Sequence, residues 1–437
     1  MRTATATKTK WVERKIGDDC IVGDGAHAKI QRQTSGVMYL TCKNFKEGGL
    51  DLSKVDYISE LDYLKYFREN SKALTKPKAD DVVFSIIGTI GEPYLVKSQD
   101  SFGISSSVAI LRPNKTVLSP KYIYYWIKGH IFQNALYGIK GGVAQGYVSL
   151  EMIRSLPLYY PELAVQEKIA AILSAYDRLI ENNTRRIEIL EEMARSLYRE
   201  WFVKFRFPGH EQVQMVDSEL GPIPEGWRYS SLKNLPIQFI DGDRSSNYPK
   251  RSEFVDNGII FLSTKNINQD KIDLSEVNFI TREKFEGIKK GRVQPLDIVM
   301  TTRGSIGKIA LFNCEYSTAL INAQMLIIRA DDKVIDQIYL FYLMCSNEYQ
   351  EVIKNFASGS AQPQIPIQDL KQIEILCPPI AIQRKFSEIV SSYNSLIKNL
   401  QSKNTNLRLT RDLLLPRLIS GEIDVENLDI KTGEVAA

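Results

Sequence analysis

The chain has 437 residues, 43% of them hydrophobic, with 56 basic against 52 acidic side chains for a net charge of +4. That is ordinary for a globular protein of two or three domains and far below a histone-like excess, so any affinity for nucleic acid must come from local patches. No window approaches the ~18 unbroken apolar residues of a membrane helix, and the start, "MRTATATKTKW", has no apolar signal region. Five scattered cysteines without a Cys-x-x-Cys pair point to a reducing cytoplasm, and with three isolated histidines (His27, His130, His210) they argue against a metal site.

In chain order, a first mixed part covers residues 1–160 and holds "GVMYLTCKNF" (36–45) and "DDVVFSIIGTIG" (80–91), followed by the helically spaced "PKYIYYWIKGHIFQNALY" (120–137). Pro161 then opens a long helix, residues 161–202. Its apolar stripe runs Ile169, Ile172, Tyr176, Leu179, Asn183, Ile187, Leu190, Ala194, Leu197, Trp201, in steps of three and four with a stutter at Asn183. A linker, 203–226, ends in "ELGPIPEGW". A second mixed part, 227–378, shows the β-rich runs "GIIFLS", "LDIVMTT" and "LIIRA" and the helical "IDQIYLFYLMCSNEYQEVIKNF". A second long helix, 379–416, carries the stripe Phe386, Ile389, Tyr393, Leu396, Leu400, Asn404, Leu407, Arg411, Leu414, and is expected to break at Pro416 before a tail, 417–437. Thirty-odd unbroken residues are too many for a typical globular helix. The expected fold class is therefore α+β, two mixed α/β parts each followed by a long helix, the helices pairing as an antiparallel coiled coil with pseudo-twofold symmetry.

The order is that of an internal repeat. "AVQEKIAAILSAYDRLI" (164–180) and "AIQRKFSEIVSSYNSLI" (381–397) agree at eight of 17 positions, with Gln166 on Gln383 at 383 − 166 = 217. The same offset sets Arg112 on Arg329 and Gln145 on Gln362, and Asp81 meets Asp297 at 297 − 81 = 216.

The motifs exclude catalysis. "TTRGSIGKIA" (301–310) has the look of a phosphate loop, but a P-loop needs Gly at 302 and Ser or Thr at 309, where Thr302 and Ile309 stand. The first copy has Glu92 in place of Lys308. An adenine methyltransferase needs an Asn- or Asp-Pro-Pro-aromatic motif, and "CPPI" (377–380) has neither the polar group nor the aromatic. No carboxylate pair, Ser/His/Asp set or metal constellation is spaced for chemistry.

"PELAVQEKI" and "PPIAIQRKF" with the helix after each, "SLYREWFVKFRFPG", "GPIPEGW", "RGSIG" and "LLLPRLISGEI" occur in an order that resembles the specificity subunit of type I restriction–modification systems. The resemblance implies that residues 1–160 and 227–378 are target-recognition domains, each reading half of a split double-stranded DNA site. The helices would act as spacer and as docking surface for two methyltransferase subunits, with restriction subunits in the full complex. S-adenosylmethionine, ATP and Mg are then expected in those partners and no cofactor in this chain. A stand-alone DNA-binding or regulatory protein of the same architecture is the alternative.

Polar residues at loops repeated in both halves are the candidate DNA contacts. Gly88 and Thr89, and Thr302, Arg303, Gly304 and Ser305, follow a predicted strand where backbone N–H groups can approach phosphate. Lys43–Asn44 and Lys265–Asn266 sit at strand ends, with side chains suited to guanine, phosphate or adenine. The loops "GDGAHAKIQR" and "DGDRSSNYPKR" share Asp-Gly and then diverge, as two different half-sites require; they offer His27 and Lys29, and Arg244, Ser245, Ser246, Tyr248, Lys250 and Arg251. Gln145, Gln362 and Gln364 complete the set from Gly/Ser loops.

Overall fold

The computed structural model describes residues 11–432 apart from 47, 70–73, 89, 142–147, 269 and 357–363. The chain falls into two units, Met1–Thr184 with Gln401–Ala437, and Arg185–Leu400. The division runs through both long helices, so each unit holds one mixed part together with a segment of each helix.

In the first unit a four-stranded antiparallel sheet has the order Cys20–Asp24, Val108–Pro113, Val82–Ser85, Pro93–Leu95. Val83, Val108 and Ile110 point into a core shared with a second sheet of Asp56–Ile58, Val37–Leu40 and Phe102–Ile104. Val82, Phe84, Ala109 and Leu111 point the other way, onto the helices Pro120–Lys128 and His130–Gly141 and the start of the first long helix. A strand covered on both faces runs apolar without alternation, as in "VVF" (82–84) and "VAIL" (108–111). Val12–Lys15 pairs with Pro157–Tyr160 and brings the two ends of the domain together.

The second unit repeats the plan. Its sheet runs Ile237–Asp241, Met325–Ala330, Ile298–Thr301, Ile309–Leu311, beside a sheet that includes Asn278–Ile280, Ile259–Leu262 and Ala319–Ile321. Val299, Ala310, Met325 and Ile327 face one core, and Ile298, Met300, Ile309, Leu326 and Ile328 the other. Arg228–Ser231 pairs with Glu374–Cys377 as the closing ladder.

The long helices are Leu163–Tyr198, prolonged by a wide turn over Arg199–Val203, and Ile380–Ile419. The second passes through Pro416 instead of breaking there. Proline removes one helical hydrogen bond, and burial of Leu418 and Ile419 in the first unit's core offsets that loss. The expected tail is likewise packed where it is described, up to residue 432. Val425 joins the same core, and Lys168 Nζ donates to the Glu426 carbonyl at 2.6 Å. The expected linker, 203–226, also belongs to a core. Phe202, Phe207 and Ile223 gather around Trp227, with ring centroids of 5.9 Å for Phe202 and 5.1 Å for Phe207.

The apolar seam is shorter than the heptad pattern suggests. Within the first unit the helices run antiparallel, since Asn404 lies against Ile180 and Thr184 while Arg411 pairs with Asp177. Leu179 and Leu396, expected on the seam, are 53% and 52% exposed. Ile180 takes the inward place, and Asn183 donates to buried Asn404 at 2.9 Å. An amide pair in a helix seam is a register device. Away from it the helices bury apolar surface mainly against their domains, which breaks the ideal spacing.

Candidate nucleic-acid interface

In the second unit, loops at the carboxyl ends of three strands meet one tight turn, Asn322–Gln324. The Asn322 N–H donates to the Leu262 carbonyl at 2.8 Å, beside the Thr264–Asn266 corner. The Gly242 N–H donates to the Met325 carbonyl at 3.3 Å, and Arg244 Nη2 donates to the Ala323 carbonyl at 3.1 Å. Both the N–H and Oγ1 of Thr302 donate to the Gln324 carbonyl, at 2.9 and 3.1 Å. Glycine is required at 242, because a Cβ there would lie 2.2 Å from the Asn322 carbonyl oxygen. Beyond this hub the Arg303 backbone bridges to Gln364, and the Ile365 N–H donates to the Thr302 carbonyl at 3.1 Å.

The first unit builds the same hub from Ser105–Ser107. Its Ser105 N–H donates to the Leu40 carbonyl, the Gly25 N–H to the Val108 carbonyl, and the Ile86 N–H to the Ser107 carbonyl, at 2.9, 3.2 and 2.9 Å. The Cys42 N–H donates to Ser107 Oγ at 3.0 Å. A contact between a carboxylate and a basic side chain recurs as well. His27 lies 2.7 Å from Asp24, and Arg244 lies 3.2 Å from Asp241, both at the repeat offset (241 − 24 = 217; 244 − 27 = 217). Burial pushes the Asp24 carboxyl up, and its bond to His27 draws it partly back.

Several sequence-derived contacts prove to be structural. The Asn44 carboxamide is 4% exposed, accepts from the Thr41 N–H and donates to the Asp51 and Lys54 carbonyls. Asn266, 3% exposed, repeats this with Ser263, Asp273 and Glu276. Neither has an edge left for a base. Thr302 is buried and spends both donors on the hub. The N–H and hydroxyl of Ser245 both donate to buried Asp243, closing a turn. The Tyr248 ring packs edge-on to Phe261 at 5.7 Å, and burial raises its phenol. Thr89, Gln145 and Gln362 lie outside the described residues.

What stays exposed is His27, Lys29, Lys43 and Gly88 in the first unit, and Arg244, Ser245, Ser246, Lys250, Arg251, Lys265, Arg303, Gly304, Ser305 and Gln364 in the second. Among the described residues Arg303, Lys265, Lys250 and Arg251 make no side-chain ion pair, whereas Arg195, Arg199, Arg329 and Arg411 all do. The stretch 301–310 that has the look of a phosphate loop joins two antiparallel strands, Ile298–Thr301 and Ile309–Leu311, so no helix begins there to hold a triphosphate. Gly304 and Gly307 each take φ of 75°, which turns the chain and lifts Arg303–Ser305 into solvent.

Sequence reading missed the hub itself. A signal was present, since "ISSSVAIL" and "INAQMLII" keep apolar residues along the strand and change polar character at the turn, as the Asp-Gly loops do.

This is a duplicated scaffold presenting polar, partly basic loops from rigid strand ends, with no metal-type cluster of His, Cys, Asp or Glu among the described residues and no described helix long and apolar enough to cross a membrane. The family model for the type I restriction modification DNA specificity domain matches twice, over residues 8–192 and 224–409. The chain belongs to that family and is a type I specificity subunit. It is 28% identical over 319 residues to the type I restriction enzyme MjaIX specificity subunit of Methanocaldococcus jannaschii, covering 72% of each chain. It is 25% identical over 389 residues to the MjaVIII specificity subunit of the same organism, covering 88% of each. The crystal structure of the type I restriction–modification S subunit from M. genitalium shares the fold at a TM-score of 0.57 and 16% identity, over 95% of this chain and 98% of that one.

Proposed function

We propose that the chain reads a bipartite double-stranded DNA site, with the hub face of each unit contacting one half, and that it docks methyltransferase subunits and, through them, restriction subunits. Methyl transfer and cleavage, with S-adenosylmethionine, ATP and Mg, then belong to those partners. The observation that carries this reading is the hub built twice on matching backbone bonds with different side chains, His27 and Ser105–Ser107 in one unit, Arg244 and Asn322–Gln324 in the other. Equal backbones with unequal polar tips suit two unlike half-sites. Exchanging residues 1–160 for the corresponding domain of a relative should change one half of the methylated motif in a host expressing the partner subunits. Sequencing for N6-methyladenine reads the result. If both halves changed together, or a methyltransferase failed to copurify with the chain, the reading would be wrong.

Arg303 supports a more local expectation. With its guanidinium in no ion pair among the described residues and its backbone at the tip of a turn, Arg303→Ala should remove about one phosphate contact. Affinity should fall for cognate and non-cognate duplexes alike, and the slope of log affinity on log salt should flatten by about one. Loss confined to one base pair would assign Arg303 to a guanine edge. Ile87→Arg, which puts the same cation at the matching position of the first unit, should strengthen non-specific binding.

A further inference from the structure

We infer that Gln324 is a specificity-determining residue that reads an adenine edge in the half-site of the second unit, a statement that rests on the DNA-reading function proposed above. Its backbone is held on both sides, the N–H by Asn322 Oδ1 at 3.0 Å and the carbonyl by two donors of Thr302. Its side chain is exposed, and among the described residues its carboxamide makes no hydrogen bond. A free carboxamide on a fixed backbone loses little conformational freedom on binding, and preorganisation of that kind favours affinity.

The surroundings choose between base and phosphate. Two arginines belong to the same hub, Arg303 next in the chain to the Thr302 that holds the Gln324 carbonyl, and Arg244 bonded to the neighbouring Ala323 carbonyl. Cations grip phosphates better than a neutral amide does, which leaves the amide for a base. One donor beside one acceptor matches N7 and N6 of adenine in the major groove, the pairing Asn and Gln make. The first unit has Ser107 at the offset position (324 − 107 = 217), with its hydroxyl engaged by the Cys42 N–H and by Ser105. That unit therefore lacks this reader, so the effect should appear in one half-site only.

The test selects bound duplexes from a randomised pool, using the full chain assembled with its methyltransferase subunits, for wild type, Gln324→Ala and Gln324→Glu. Gln324→Ala should lose roughly 5- to 150-fold discrimination at a single A·T pair in one half-site, with the salt slope unchanged. Gln324→Glu should move the preference there toward cytosine, whose N4 amino group a carboxylate accepts. Replacing that adenine by 7-deazaadenine should weaken wild type and leave Gln324→Ala unaffected. Unchanged selectivity, an effect on a G·C pair, or a uniform loss with a flatter salt slope would overturn the assignment. Absence of any selected sequence with wild type would overturn the DNA-reading function itself, and the Gln324 assignment with it.

Discussion

Gln166→Leu should destabilise the first unit by about 3–5 kcal/mol, because it orphans two buried backbone groups and a part-buried one at once, a buried one costing ~1–3 kcal/mol before relaxation. Gln166 is fully buried. Its Oε1 accepts from the Ser119 N–H at 2.9 Å, and its Nε2 donates to the Val117 and Pro161 carbonyls, both at 2.8 Å. It thus ties the entry of the long helix to the turn before Pro120–Lys128. Gln383 does the same in the second unit, accepting from Asp336 at 2.8 Å and donating to Pro378 at 2.7 Å and to Val334 at 3.5 Å. Its longest bond is weak, so Gln383→Leu should cost less. Gln166→Glu keeps the shape and the acceptor but turns oxygen toward two carbonyls, and should be as damaging as leucine. A glutamate variant near wild-type stability would mean that the residue acts by packing alone. Amide exchange in Pro120–Lys128 is the fitting measurement, since a chain of two units need not unfold in one transition.

Asp297→Ala should destabilise the second unit by about 2–4 kcal/mol. The carboxylate, 2% exposed, holds Arg329 through Nε and Nη2 at 2.7 and 2.6 Å and accepts from the Gln294 N–H at 2.7 Å. Removing one member of a buried pair costs ~3–5 kcal/mol, and the guanidinium, 24% exposed, recovers part of that from water. The first unit has the same bond between Asp81 and Arg112, at 2.8 and 2.7 Å. Replacing both partners, as Asp297→Leu with Arg329→Met, should cost clearly less than Asp297→Ala, since no charge is then left alone. Exchange over Met325–Ala330 distinguishes the outcomes. Equal losses in the single and double variants would show that the ion pair is not the cause.

These two networks explain why Gln166, Gln383, Asp81, Asp297, Arg112 and Arg329 align in the repeat. They hold each domain together, and the exposed hub tips between them are where the two copies differ.

The sequence by itself determined the repeat, the two long helices, the mixed domains and the lack of a P-loop or methyltransferase motif. Those features are local. Helical spacing, Pro161 at a helix entry and unbroken apolar runs in doubly covered strands are legible without knowing what lies across the fold. Only the tertiary structure decided which polar side chains are free. Asn44, Asn266, Thr302 and Ser245 look like contacts in the sequence, yet their hydrogen bonds are taken up within the chain. The hub escaped notice because its bonds join distant segments, Cys42 to Ser107 across 65 positions and Thr302 to Gln324 across 22. Leu179 faces solvent while Ile180 turns inward, and Pro416 stays helical, for a related reason. Burial against a domain, which no heptad records, outweighs the ideal seam and the preference of a single residue.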